Sequence, residues 1–383
     1  MMISIHHPSS GYDSYRAALV RSLFNVDGIG FDLDADLPID GSDVEPWQIG
    51  LVVGPSGSGK SSIGERIWGK TAMRGGEPWP RDAPIVDAIA PDDAGGSWQA
   101  VTAALSAVGL GDVPAWLRPY RVLSTGERFR AILARLICEA PARAVVDEFT
   151  SVVDRRTARV GASAFARAWR RTSGQVALLS CHYDIIDWLA PDWIFDTATG
   201  GFRWTRGRLR RPNIQVEIRR TGWQFWPHFE PHHYLRPPGM IAAYCYVGFV
   251  NDEPVAHIAM STRAGLVEAR AARLVVMPEW QGLGIGPRLL NAVCALWRKG
   301  DNPYGRPLRT LFHTSHPRLI SSLRRDPLWT QVSARLCGDS KQRSKASINN
   351  SWVRRGVCQT LGKSTGYGGH FRSIQGFRYL GSE

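Results

Sequence analysis

Apolar and polar positions follow two different rhythms along the chain. Up to about residue 200, short solid apolar runs (Gln48–Val53, Ala144–Val146, Val176–Ser180) are separated by stretches with helical spacing: Ser61–Trp68, Trp98–Val108, Gly126–Glu139 and Thr157–Arg171. Solid apolar runs are strands covered on both faces, and their alternation with helices predicts a mostly parallel sheet with helices packed on it. Farther on, Ile241–Val250 and Pro254–Ser261 meet through Asn251-Asp252-Glu253, which predicts a hairpin. Ala269–Met277 reads as another strand, followed by a glycine turn and a helix to about Arg298. Leu308–His313 and the alternating tail His370–Leu380 read as two more strands, and the polar stretch 338–368 as a long loop. Thr199–Pro212, rich in Gly and Arg and without a period, marks the boundary, giving domains 1–205 and 206–383.

The first glycine-rich loop follows the first apolar run and opens a helix: Gly54-Pro55-Ser56-Gly57-Ser58-Gly59-Lys60-Ser61, with Ser62 next. Glycines let backbone N–H groups face phosphates at a helix N-terminus. Lys60 then reaches the terminal phosphates of a nucleotide, and the Ser61 hydroxyl is a ligand for Mg²⁺. Asp147 and Glu148 end the apolar run Ala144–Val146. There Asp147 is placed to hold Mg²⁺ through water, and Glu148 to act as general base on an attacking water.

Leu123-Ser124-Thr125-Gly126-Glu127 opens a basic helix, Ser151–Asp154 follows the acidic pair, and His182 ends the strand Val176–Ser180. In this order the set resembles the ABC-type ATPases over about residues 20–200, departing from that family's Leu-Ser-Gly-Gly-Gln signature at Thr125 and Glu127. The resemblance implies a head-to-tail homodimer sandwiching two ATP molecules. Each phosphate loop would face Ser124 and Gly126 of the other copy. Asp154 would couple the two sites and His182 would contact the terminal phosphate. Gln99, the sole glutamine between loop and signature, is a candidate for the family's functional glutamine.

A second glycine loop follows the strand Ala269–Met277 at Gln281-Gly282-Leu283-Gly284-Ile285-Gly286. It resembles the Gln/Arg-x-x-Gly-x-Gly/Ala signature of the GNAT acyltransferases. The fold class expected is therefore α/β, a P-loop ABC-type ATPase domain followed by a mixed α+β GNAT-like domain. The resemblance implies that backbone amides grip the diphosphate of acetyl-CoA or another acyl-CoA, while a splayed strand offers Leu274 and Val276 backbone groups to the donor. The run Trp226–Tyr234 is dense in titratable and aromatic groups, and His233 and Tyr234 are its candidates for acid and base. His313 and His316 form a second candidate pair.

Charge sharpens the expected partner. Residues 1–200 hold 19 Lys and Arg against 24 Asp and Glu, a net of −5, whereas 201–383 hold 28 against 10, a net of +18. A block this basic favours polyanions through counterion release. His233-Tyr234 and the closing Gly369–Tyr379 are similar to the Mom-type phage DNA-modification acyltransferases, which implies transfer to a base in DNA and a flipped or unpaired nucleotide. Aromatics among the arginines (Trp204, Trp223, Trp226, Phe371, Phe377, Tyr379) suit base stacking. Six scattered cysteines without a Cys-x-x-Cys pair, no leader-like opening and no apolar stretch near the roughly 20 residues of a membrane span point to a cytoplasmic enzyme. An ATP-driven acyltransferase acting on nucleic acid is the expectation. The alternatives are an N-acetyltransferase for a protein or small amine, and an ATP-gated nucleic-acid binder with an inactive GNAT-like domain.

Overall fold

The computed structural model describes residues 1–7, 14–24, 31–40, 44, 46–89, 97–205, 213–233, 239–240, 243–262, 265, 267–337 and 372–381. The loop expected at 338–368, residues 206–212 of the boundary segment, Tyr234 and Phe371 lie outside these residues. The chain divides into two compact units. One holds Met1–Val108 and Leu117–Asn213, the other Gly109–Trp116 and Ile214–Glu383.

The first unit is built on β3 (Ile49–Val53), β4 (Met73–Arg74), β5 (Arg143–Val146), β6 (Gln175–Ser180), β7 (Trp193–Asp196) and β8 (Gly201–Trp204), in the order β4-β5-β6-β3-β7-β8. All pairs are parallel except β7 with β8. β3, between β6 and β7, is buried along its whole length, as a strand covered on both faces is, which explains its solid apolar run. Helices α2 (Lys60–Trp68), α3 (Ile85–Ala88), α4 (Trp98–Ala107), α6 (Thr125–Glu139), α7 (Arg155–Trp169) and α8 (Ile186–Leu189) belong to this unit. An antiparallel pair, β1 (Met2–His7) with β2 (Phe31–Asp36), has α1 (Tyr15–Phe24) between its strands in sequence. Its inward residues Ile3, Ile5 and Ala35 join Val52, Ile63, Ile67, Leu179 and Phe195 in one core. Each of the isoleucine, valine, leucine and phenylalanine side chains among them stabilises the fold by about 1.5–3 kcal/mol.

Because β3, β5 and β6 are parallel, with Val53 opposite Ser180 and Val146 opposite Leu178, their C-terminal ends open on one edge. The carboxyl ends of such strands are where an open α/β sheet binds ligands.

Among the described residues the second unit holds seven strands: β9 (Glu217–Thr221), β10 (Ala243–Val250), β11 (Glu253–Thr262), β12 (Glu268–Val276), β13 (Arg309–Thr314), β14 (Trp329–Cys337) and β15 (Arg372–Tyr379). Their order is β14-β15-β13-β12-β11-β10-β9. The expected hairpin is β10 with β11, turning at Asn251 and Asp252, both at positive φ. Only β12 and β13 are parallel neighbours. Helix α10 (Ile285–Lys299) buries Ile285, Leu289, Leu290, Val293 and Trp297, and Gly300 at φ 94° ends it. The shorter α5 (Val113–Trp116), α9 (Trp226–Phe229) and α11 (Pro317–Arg325) complete the unit. β14 was not expected from sequence; it pairs antiparallel with the tail strand β15.

Candidate active site

In the first unit the loop 54–59 leaves β3 and turns into α2 with Gly57 at φ 79° and Gly59 at φ 81°. This left-handed backbone favours glycine, and open space surrounds the position a Gly57 side chain would take. The Lys60 ammonium donates to the Gly54 carbonyl at 2.9 Å and the Pro55 carbonyl at 2.5 Å, which curls it back along the loop. Ser61 is exposed at the helix start. An open glycine turn, a helix N-terminus, an ammonium and an exposed hydroxyl fit a nucleotide triphosphate and its metal.

Asp147 and Glu148 leave β5 on the same sheet edge. The Glu148 N–H donates to Asp147 Oδ1 at 2.7 Å, and the Phe149 N–H to the Leu179 carbonyl at 2.8 Å. Glu148 (φ 49°) and Thr150 (φ 71°) are both left-handed. Two non-glycine residues held so, around a buried Phe149, are a strained turn that presents the exposed Glu148 carboxylate. Among the described residues no cluster of three or more His, Cys, Asp or Glu suits a metal ion. A Mg²⁺ held by one carboxylate, one hydroxyl and the phosphates needs none.

Ser124 caps α6. Its Oγ accepts from the Glu127 N–H at 3.3 Å, and Glu127 Oε2 accepts from the Ser124 N–H at 2.7 Å. The departure to Glu127 thus builds a reciprocal cap. Asp154 caps α7, accepting from the N–H groups of Arg156 and Thr157, each at 3.0 Å. Burial pushes its pKa up, but hydrogen bonds from Thr157 and Arg156 outweigh that and leave it below the usual value. His182 lies just past β6, its Nδ1 3.5 Å from Cys181 Sγ. Burial, then the nearby Arg155 guanidinium, lowers its pKa, so the imidazole is neutral at pH 7. Gln99 sits exposed in the first turn of α4, whereas the strand beside β5, β4, runs into Gly75, Gly76 and Glu77.

In the second unit β12 pairs with β13 only from Glu268 to Ala271, and then runs on to Val276 alone on that side. The cause is a bulge: the register on β11 shifts between His257 and Ala259, and Arg273 stands at φ 56°. Leu274 and Val276 follow it, in the part of β12 that parts from β13. The turn Gln281–Gly284 then leads into α10, with Gly282 at φ 85° and Gly284, the N-cap, at φ 78°. No atom lies within 4 Å of the position a Gly284 side chain would take. Gly286 serves packing instead, since a methyl there would meet Val276 Cγ2 at 3.2 Å. An open glycine turn at the N-terminus of a long helix fits a diphosphate. The Gln281 side chain is otherwise engaged: its Nε2 donates to the Val276 carbonyl at 3.0 Å.

His233 is buried, its ring edge-on to Trp226 at 5.9 Å, and Tyr234 lies outside the described residues. The expectation of base-stacking aromatics needs correction. Trp226, Phe377 and Tyr379 are core residues, shielded by their own sheet and helix, and Trp204 packs against the core of the first unit. Sequence reasoning also passed over His257. Fully buried on β11, it donates from Nδ1 to the carbonyl of the strained Arg273 at 3.0 Å. A lone histidine inside an apolar strand gives no signal of that bond.

The Acetyltransferase (GNAT) family model matches residues 213–301. No curated relative matches the chain. A bacterial Atm1-family ABC exporter with ATP bound is similar at 20% identity and a TM-score of 0.32, covering 44% of this chain and 33% of the exporter, so the chain spans about a third of its length. A dimeric ATP-binding cassette in a post-hydrolysis state with ADP and Pi is similar at 12% identity and a TM-score of 0.34, covering 42% of this chain and 86% of the cassette. CbiO1 from Clostridium perfringens, part of the ABC transporter complex cbiONQ, is similar at 13% identity and a TM-score of 0.33, covering 45% of this chain and 77% of its own. The second unit carries the GNAT acetyltransferase match over residues 213–301, and the glycine loop, helix cap and strand order of the first unit resemble those of the ABC-type ATPases. No helix among the described residues is long and apolar enough to cross a membrane.

Proposed function

We propose that the chain hydrolyses ATP in its first unit to drive transfer of an acyl group, from acetyl-CoA or another acyl-CoA, to a nucleic acid, with a DNA base as the acceptor. The observation that carries this reading is the pair of open glycine turns, Gly54–Gly59 and Gln281–Gly284, each leading into a helix N-terminus. In the first, Lys60 and the loop amides would hold the triphosphate, and Ser61 and Asp147 the Mg²⁺ that neutralises its developing charge. Glu148 takes the proton of the attacking water, and the neutral His182 donates to the terminal phosphate. Ser124 and Gly126 serve the partner copy of a homodimer.

In the second unit the acceptor amine attacks the thioester carbonyl, the C–S bond breaks, and the thiolate takes up a proton. His233, held against Trp226, and Tyr234 are the groups proposed to move these protons. The acceptor reading rests on charge: Arg306, Arg309, Arg324, Arg325 and Arg335 are exposed on a unit whose half of the chain carries +18. A cytoplasmic setting suits the free cysteines Cys138, Cys181, Cys245 and Cys294.

Mass spectrometry of nucleosides from cells expressing the wild type, Lys60→Ala or Gly284→Glu tests it. A new acylated nucleoside in the wild type alone is expected, and an unmodified profile removes the DNA acceptor. The family match ends at 301, before all five of those arginines, and this favours transfer to an amine of a protein or small molecule as the second reading. Acylated protein with unmodified nucleosides would decide for it.

A further inference from the structure

The segment Gly109–Trp116 interrupts the ATPase half of the sequence yet belongs to the second unit. It is seated there by specific bonds. The Gly111 N–H donates to Gln281 Oε1 at 2.8 Å, while Gln281 Nε2 donates to the Val276 carbonyl at 3.0 Å. One side chain therefore ties the segment to the free-running end of β12, and both ends of its amide are used. Gly109 is at φ 91°, and a methyl there would lie 2.7 Å from the Gln281 carbonyl oxygen, so only glycine fits. On the other side His316 Nε2 donates to the Gly111 carbonyl at 3.3 Å, and the Trp116 ring meets His316 edge-on at 5.7 Å. Trp116 Nε1 closes the segment on itself by donating to the Leu110 carbonyl at 2.7 Å. Leu110, Ala115 and Trp116 are all buried.

We propose that Gly109–Trp116 is a built-in part of the acyl-donor site, and that Gln281 is a positioning residue, locked by Gly111 and Val276 so that its backbone holds the turn Gln281–Gly284 open for the donor's diphosphate. This rests on the acyl-CoA reading above. The side chain at the head of the glycine signature is thereby a brace between strand and segment, and the ligand-facing groups are backbone amides.

The test uses the full chain and acetyl-CoA as probe. Titration calorimetry compares the wild type with Gln281→Met, which keeps the volume and loses both bonds, Gln281→Glu, which keeps only the bond from Gly111, and Gly109→Ala, which leaves Gln281 chemically intact. Acetyl-CoA affinity should fall about tenfold in Gln281→Met, less in Gln281→Glu, and also in Gly109→Ala, with each variant still binding ATP. Hydrogen exchange at the Gly111 amide should be slow in the wild type and fast in Gln281→Met. Wild-type affinity for acetyl-CoA in Gly109→Ala, or equal Gly111 exchange in wild type and Gln281→Met, overturns the proposal. A wild type that ignores acetyl-CoA while Gly111 is protected, and loses protection in Gln281→Met, instead overturns the donor reading and leaves the brace standing.

Discussion

His257 is the residue whose chemistry its surroundings change most legibly. Burial first, and the Arg273 charge after it, lower its pKa to about 4, against a weaker upward pull from its bond to the Arg273 carbonyl. Its ring is packed among Trp223, Trp226 and Phe229 at 5.0–5.8 Å between centroids. In the unfolded chain the imidazole takes a proton near pH 6.5, in the folded one near 4, so the unfolded state binds more protons between those values. Stability from this group is complete above pH 6.5 and lost progressively as pH falls toward 4, by roughly 3 kcal/mol at the end of the range. Denaturant unfolding of the wild type from pH 7 to 5 should show this slope, and His257→Leu should be less stable at pH 7 with the slope flattened. An unchanged slope in the variant would mean the histidine is not the group that titrates. The placing of Glu148 at the end of an apolar strand was legible from sequence, and the structure adds that a left-handed turn exposes it. Glu148→Gln should keep ATP affinity and cut the rate of phosphate release by about 10²-fold or more; near-normal release would assign the base elsewhere. His257 and Gly111 were not legible, since a bond to a carbonyl sixteen or many more positions away leaves no local pattern.

At the scale of the element, what sequence reveals depends on whether an element's partners are local. β3, the glycine loop and α2 were readable together because strand, loop and helix are consecutive and the run is buried on both faces. The β10–β11 hairpin was readable for the same reason. β14 was missed because among the described residues it pairs only with β15, beyond a long intervening segment, and β1–β2 because alternating strands this short need the Ile63–Leu179 core to give them an inner face. The signature helix α6 shows a further gain from structure. Where it departs from the Leu-Ser-Gly-Gly-Gln signature it resembles, Glu127 completes a helix cap with Ser124. Ser124→Ala removes one half of that cap and should cost about 1 kcal/mol of stability in the first unit. Because Ser124 is also the proposed contact to the partner's ATP, the same variant should lose ATP-dependent dimerisation in sedimentation, in a background of Glu148→Gln that retains nucleotide. Dimerisation that survives would separate the cap from the contact. In α10 the equivalent position is Gly284, left-handed and facing open space. Gly284→Glu puts a carboxylate and an unfavourable φ into the turn, and calorimetry should show loss of acetyl-CoA binding with ATP binding intact.

For the whole molecule the argument concerns charge and connectivity. A chain split into −5 and +18 is expected to bind polyanions through its second half alone, with an affinity that falls steeply with salt. Arg309→Ala combined with Arg335→Ala should shallow the salt dependence of DNA binding by about two counterions without touching ATP affinity. Connectivity bears on how the two activities communicate. The backbone leaves the first unit at Val108, contributes Gly109–Trp116 to the second, and returns at Leu117, shortly before the helix cap Ser124. In the proposed function, a change at the segment leading into α6 would reach the strap that Gln281 holds. The strap is short, with Leu110, Ala115 and Trp116 buried near its two ends and Gly111–Pro114 half-buried between them. Hydrogen exchange read at Gly111 in the Glu148→Gln chain, with and without Mg²⁺-ATP, should differ several-fold, and Gln281→Met should erase the difference by freeing the amide in both states. Identical Gly111 exchange in the two nucleotide states would show that the strap is a fixed brace, and that any coupling between hydrolysis and acyl transfer runs through another part of the chain.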